Sequence, residues 1–209
     1  ARIKAVYDQR ESANLTGEQL QLLQDIYNGF ARGGANLQGE QKEKYRELSQ
    51  KLSLLTLQFS ENCLKETNDY LKVITDSTLL SGLPESAITA AKETAQEKGV
   101  EGWAFTLHAP SYVPVMTYAD NRDLRKEIYM AYNTQCTHDN EHNNLDVVKE
   151  LANTRMEVAQ LLGYKDYASY MLEDRMAQNS EAVYNLLNQL LDAYTPTAKN
   201  EYAEVQALA

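Results

Sequence analysis

Residues 40–65 read EQKEKYRELSQKLSLLTLQFSENCLK. Within them Tyr45, Leu48, Leu52, Leu55, Phe59 and Cys63 fall in steps of three and four. That spacing stacks side chains on one face of an α-helix. It predicts a long helix over about 40–65 and sets the class of the whole chain, mainly α. Upstream, Thr16-Gly17-Glu18-Gln19 has the form of a capping box. The Thr hydroxyl accepts from a free N–H of the first turn while the Gln side chain reaches back. A helix burying Leu20, Leu23, Tyr27 and Phe30 is expected to follow, ending at Gly33-Gly34, where a positive φ is cheap. Only a short link separates the two helices, so residues 1–66 are expected to form an antiparallel helical hairpin.

Downstream the period changes. Tyr70-Leu71-Lys72-Val73-Ile74 alternates and is rich in strand formers. Pro84 and Gly99 bracket a short Ala-rich helix. Trp103-Ala104-Phe105-Thr106-Leu107 and Tyr112-Val113-Pro114-Val115-Met116 read as two short strands around the turn His108-Ala109-Pro110-Ser111. Pro114 lacks a donor and assigns the second of them to an edge or bulge. Trp103, Phe105 and Leu107 share one strand face, which predicts a largely buried indole. Residues 67–118 are therefore expected to be a mixed segment with a small two- to three-stranded β element inside a helical bundle.

The rest, residues 119–209, reads as helical. Asp120 is expected to cap a helix that buries Leu124, Ile128, Ala131 and Tyr132. A second helix covers about 145–162 and stops at Gly163, a short one follows Asp166, and a long one follows the cap Asn179. Pro196 lies inside the last pattern, which continues through Tyr202, Val205 and Leu208, so a kink is expected there rather than a stop.

Composition narrows the function classes. The 209 residues are 43% hydrophobic, enough for a buried core. Thirty acidic against twenty basic residues give a net charge of -10, which disfavours nucleic acid and anionic membranes as partners. No apolar run approaches the roughly 20 residues that span a bilayer. The two cysteines, Cys63 and Cys136, argue against a disulfide framework and fit a reducing, cytoplasmic setting. Helical spacing is already running at Ile3, Val6 and Tyr7 and is still running at Val205 and Leu208. Both ends read as cut, and the exposed faces there predict self-association caused by truncation, or a last helix frayed beyond Pro196.

His138, Glu141 and His142 spell H-x-x-E-H, an inverted form of the zinc-peptidase motif. The metal would need both imidazoles on one rigid helix. Here the flanks are Thr137, Asp139, Asn140, Asn143 and Asn144, poor helix formers with no apolar position to dock. The stretch reads as a solvated loop whose Asn residues cap the helix that follows. His108 reads as a turn residue, and Glu47, Glu61 and Glu66 as ordinary exposed helix carboxylates. Tyr164, Tyr167 and Tyr170 cluster around Gly163 and read as packing between helices ahead of a peptide groove. On these grounds the chain offers no catalytic residue and no metal ligand, and leaves substrate contacts unknown.

Gly102-Trp103-Ala104-Phe105-Thr106-Leu107, then Pro110 to Arg122 with Leu124-Arg125, resembles the zinc oligopeptidase family of thimet oligopeptidase, oligopeptidase A and the bacterial peptidyl-dipeptidases. Further pieces resemble it in the same order: Leu15-Thr16, Gly33-Gly34-Ala35-Asn36-Leu37, Gly82-Leu83-Pro84 and Ala159 to Tyr164. Members carry H-E-x-x-H on one helix and a third ligand, a glutamate, on another. This chain has no H-E-x-x-H. The resemblance thus implies a non-catalytic piece of a zinc metallopeptidase for short peptides, inactive by itself, with zinc and the catalytic region supplied elsewhere in the parent protein. It also implies a mostly helical architecture and a share in the wall of a narrow substrate channel. The alternative from a different class is an independent helical interaction module without enzymatic activity.

Overall fold

Hydrophobic spacing of three and four dominates the sequence, and the computed structural model, which describes residues 2–208, is accordingly mainly helical. Its contacts separate two units, one of Leu52–Ala152 and one built from the sequence before and after it. Each is taken in turn.

Leu52–Ala152 begins within α3 (Gly39–Asp69). Then come β1 (Lys72–Ile74), a 3-10 turn (Ser77–Leu80), α4 (Glu85–Glu97), β2 (Trp103–Phe105), α5 (Ala109–Tyr118) and α6 (Arg122–Asn133). The unit ends within α7 (Leu145–Leu161). β1 and β2 pair antiparallel with Lys72 opposite Phe105 and Ile74 opposite Trp103, the one sheet among the described residues. α4 packs on β2 through its small buried residues, Ala91 and Ala95. The core joins Ile74, Leu80, Leu83, Phe105, Leu107, Val115, Leu124 and Ile128. A satellite cluster of Leu55, Val147 and Leu151, with Leu52 against it, ties α3 to α7.

Two glycines are required by close approach. A Cβ on Gly102 (φ +99) would lie 2.2 Å from the Ile74 carbonyl oxygen. One on Gly82 (φ +85) would lie 2.2 Å from the Tyr118 carbonyl oxygen. Both conformations are strained for residues with a Cβ, and both contacts are too short for one.

Three expectations need correction. Tyr112–Met116 is not a strand; it lies inside α5. Burial there falls on Tyr112, Val115, Met116 and Ala119, which is the i, i+3, i+4, i+7 set of a helix. His108 is extended before the helix and Pro110 sits in the first turn, where its missing N–H costs nothing. Pro114 forgoes one intrahelical bond, and the complete burial of Val115 offsets it. Second, the cap of α6 is Asn121, whose Oδ1 accepts from the Leu124 N–H at 2.8 Å. Asp120 instead accepts from the Ser81 hydroxyl at 2.7 Å. Third, Phe30 and Tyr132, expected to be buried, are 56% and 42% exposed. Trp103 is largely buried against the core, as its strand face predicts, with the Lys92 ammonium 5.2 Å from its ring centre.

In the other unit, α1 (Arg2–Asp8) lies along α2 (Gly17–Arg32). Tyr7 and Tyr27 stack there with ring centres 3.7 Å apart. The capping box at Thr16 is formed as the sequence predicts: the Thr16 N–H donates to Gln19 Oε1 and the Gln19 N–H to Thr16 Oγ1. Gly34 turns the chain after α2 at φ +80, against the ring of Tyr45. Gly163 (φ +91) follows α7. Asp166 caps α8 (Tyr167–Leu172) and the Asn179 side chain accepts from the Ala182 N–H of α9 (Ser180–Leu208). α9 runs through Pro196 without stopping. No helix is long and apolar enough to cross a membrane, among the described residues.

Candidate functional site

The stretch Thr134–Asn144 is irregular, and it is held along α3 by side chains that the stripe-reading of α3 left aside. The apolar step that places Cys63 on the buried face carries Glu66 and Thr67 with it, three and four residues on. Glu66 Oε2 accepts from the Cys136 N–H and Oε1 pairs with His138 Nδ1, each at 2.7 Å. Gln135 Nε2 donates to Thr67 Oγ1 at 2.7 Å, and His142 Nε2 lies 3.3 Å from Asp69 Oδ2. At the end of the loop Asn144 is buried. It accepts from Asn62 Nδ2 at 2.9 Å and donates to the Phe59 carbonyl at 3.1 Å. Asn143 Oδ1 accepts from the Leu145 N–H, the capping expected of the Asn residues here.

Beside this seam opens a cleft of about 840 Å³ lined by Glu66, Asp69, Tyr70, Met130, His138 and His142. Its electrostatics follow from burial and pairing. Burial pushes the Glu66 carboxyl up, but the hydrogen bonds from His138 and the Cys136 N–H outweigh it and hold the group below its ordinary value. The Tyr70 hydroxyl is pushed up to about 12 by burial, with Glu127 adding to it. That oxygen is buried and has no hydrogen-bond partner among the described residues. The Cys136 thiol is pushed up to about 12, first by burial and then by Cys63 and Glu66.

His138 and His142 are therefore loop residues, each ring engaged with a different carboxylate of α3. A zinc site draws three protein ligands onto one point at roughly 2.0–2.3 Å. Among the described residues no three His, Cys, Asp or Glu side chains are grouped to hold an ion. The zinc that the resemblance implies does not fit the residues grouped here. His108 stands elsewhere, ahead of α5, with Nδ1 3.3 Å from Thr106 Oγ1. Glu47 and Glu61 are exposed on α3 as expected. Glu66 is the correction: its side chain is only 14% exposed, because its partners arrive from a segment some 70 residues away.

Of the tyrosines around Gly163, Tyr164 and Tyr170 flank the Arg32 guanidinium, and Tyr167 lies under that of Arg155. The Arg32 guanidinium lies 4.5 Å from the centre of the Tyr170 ring and donates to the Tyr170 carbonyl at 2.7 Å. Glu173 pairs with Arg32 and accepts from the Tyr164 hydroxyl. Tyr164 and Tyr170 meet edge to face at 5.2 Å. Burial, then Glu173, raises the Tyr164 hydroxyl. Tyr164 and Tyr170 pack around Arg32, the packing role that their spacing suggested.

Helical architecture and the ordered run of motifs agree with what comparison finds: residues 115–209 match Peptidase family M3, and the chain belongs to that family of peptidases. It is similar to oligopeptidase A of Escherichia coli (strain K12), 38% identical over 99% of this chain and 31% of the relative. To the probable cytosolic oligopeptidase A of Arabidopsis thaliana it is 32% identical over 99% of this chain and 30% of that protein. Dipeptidyl carboxypeptidase of E. coli is 30% identical over 100% of this chain and 31% of its own length. The chain thus spans somewhat under a third of each of these relatives.

Proposed function

We propose that this chain is a non-catalytic portion of a cytoplasmic zinc metallopeptidase that cleaves short peptides, and that it forms part of the wall of the substrate channel. One observation carries the reading: 99% of the chain aligns with oligopeptidase A, yet the chain contains no H-E-x-x-H. The zinc and the water-activating glutamate would come from the remainder of the same protein. Zinc there would supply a metal-bound hydroxide as nucleophile. The residues of this chain would hold and orient the peptide and keep bulky substrates out, work done by positioning rather than by bond cleavage. Its partners in this reading are a short peptide and the catalytic region of its own polypeptide.

A second reading, a helical interaction module with no enzyme attached, draws support from α9. Leu186, Leu187 and Leu191 there are all more than half exposed, a face suited to another protein. The downstream reading frame separates the two. H-E-x-x-H in frame some hundreds of residues on is the expected result. An open reading frame that closes without it would overturn the peptidase reading and leave the module.

A further inference from the structure

Cys63 and Cys136 are 73 residues apart in sequence, and the fold brings their sulfur atoms to 3.8 Å. Cys63 lies on the face of α3 that meets the Thr134–Asn144 loop, and Asn144 Nδ2 donates to its Sγ at 3.5 Å. Cys136 sits in the left-handed region at φ 57, uncommon for a residue with a Cβ. Two bonds hold it there: its N–H donates to Glu66 Oε2 at 2.7 Å, and its carbonyl accepts from the Asn144 N–H at 2.8 Å. The loop is thus clamped on both sides of the thiol, and the clamp aims Sγ at Cys63. Both cysteines are reduced, and the two side chains are in contact.

We infer that Cys63 and Cys136 form a reversible disulfide that staples the Thr134–Asn144 loop to α3. A disulfide needs its sulfurs at about 2.05 Å, so they must close by roughly 1.8 Å, within reach of χ1 rotation and a small shift of the loop. The pair is asymmetric. Cys136 is buried and Cys63 half-buried, so a small oxidant meets Cys63 first. With hydrogen peroxide the Cys63 thiolate attacks one oxygen and the O–O bond breaks, giving a sulfenic acid and hydroxide, which takes up the proton lost by Cys63 and leaves as water. Cys136 sulfur then attacks the sulfenyl sulfur, the S–O bond breaks, and a second water leaves with the proton of Cys136. The sum is two thiols and one peroxide to one disulfide and two waters. The second step is slow near neutral pH and faster in alkali, because burial, Cys63 and Glu66 keep the Cys136 thiol protonated. The ring closed by the bond includes β1, α4, β2, α5 and α6, the whole of the main core. It also fixes the loop that carries His138 and His142 along the 840 Å³ cleft.

The test uses the folded 209-residue chain exposed to hydrogen peroxide, then alkylated without reductant and weighed intact. The expected product has lost two hydrogens and both free thiols, at a rate independent of protein concentration. Its digest yields one peptide joining Cys63 to Cys136, which dithiothreitol separates. The oxidised chain should unfold at higher urea than the reduced one, because the bond constrains the unfolded chain. In Cys136→Ser, peroxide should leave a sulfenic acid on Cys63 that dimedone traps. Links only between chains, or Cys63 driven to sulfinic acid while Cys136 keeps its thiol, would overturn the inference. So would a linked chain whose urea midpoint is equal to or below that of the reduced form. The wild-type measurement stands by itself if the serine variant does not fold.

Discussion

The segment from β1 to α6 and the helix α9 are both rich in apolar residues, and the structure treats them oppositely. Between Ile74 and Ile128, Phe105, Val115 and Ile128 are no more than 2% exposed, all packed into one core. In α9 no residue is buried, and Leu187 and Leu191 are 52% and 62% exposed. The amphipathic spacing is real in both. Spacing determines that a helix has an apolar face, while only a partner segment decides whether that face leaves water. The first region contains its own partners: a two-stranded sheet, α4 on one of its strands, and α5 and α6 closing the cluster. For α9 the partner is, in the reading proposed above, further polypeptide of the same peptidase.

The largest expected effect separates these regions directly. Phe105→Ala should destabilise the chain by about 3–5 kcal/mol, the cost of emptying a fully packed aromatic site. Leu191→Ala in α9 should change stability by no more than about 0.5 kcal/mol, as at an ordinary surface position. Urea unfolding of the two variants checks the pair. A Leu191→Ala loss as large as that of Phe105→Ala would show that α9 is already packed.

A smaller effect is expected at the seam between α3 and the Thr134–Asn144 loop. Glu66→Ala leaves the Cys136 N–H without its acceptor and should cost about 1–3 kcal/mol. Because the folded Glu66 carboxyl lies below its ordinary value, its ionised form adds stability in full above the unfolded carboxylate range. That contribution is lost as pH falls through the folded value. Wild type and Glu66→Gln should therefore differ near neutral pH and converge in acid. Unfolding midpoints across the acid range check this, and a gap that widens in acid would reverse the sign.

The smallest effect has the opposite direction. Tyr70 carries a buried hydroxyl without a hydrogen-bond partner, so Tyr70→Phe should be neutral or stabilise by up to about 1 kcal/mol. The same replacement should remove the tyrosine that ionises at about 12 from an ultraviolet alkaline titration. A clear loss of stability would mean that the hydroxyl is satisfied.

These contrasts also explain what could be read before folding. The capping box at Thr16 and the cap at Asn179 were legible because each is complete within four residues. The stripe of α3 was legible because a helical period repeated over many turns admits no other reading. Tyr112–Met116 was not, since five residues with two valines and a proline satisfy a period of two as well as one of 3.6. The burial pattern breaks that tie: Val113 is exposed, whereas Val115, its neighbour Met116 and, one turn further, Ala119 pack into the core. The seam was illegible for another reason. Glu66 gives no local sign of burial, and its bonds to Cys136 and His138 depend on a loop that arrives 70 and 72 residues later. The nearness of Cys63 and Cys136 was hidden for the same cause. The H-x-x-E-H letters were visible, but their Asn-rich flanks correctly placed them in a loop.

The scaffold reading is tested most directly by turnover of a short fluorogenic peptide by the purified 209-residue chain supplied with zinc. No hydrolysis is expected, since the histidine rings of the loop are bound to separate carboxylates and no ligand set converges among the described residues. Turnover that survives repurification, is lost on chelation and falls in His142→Ala would contradict the account and move the chemistry into the Thr134–Asn144 loop.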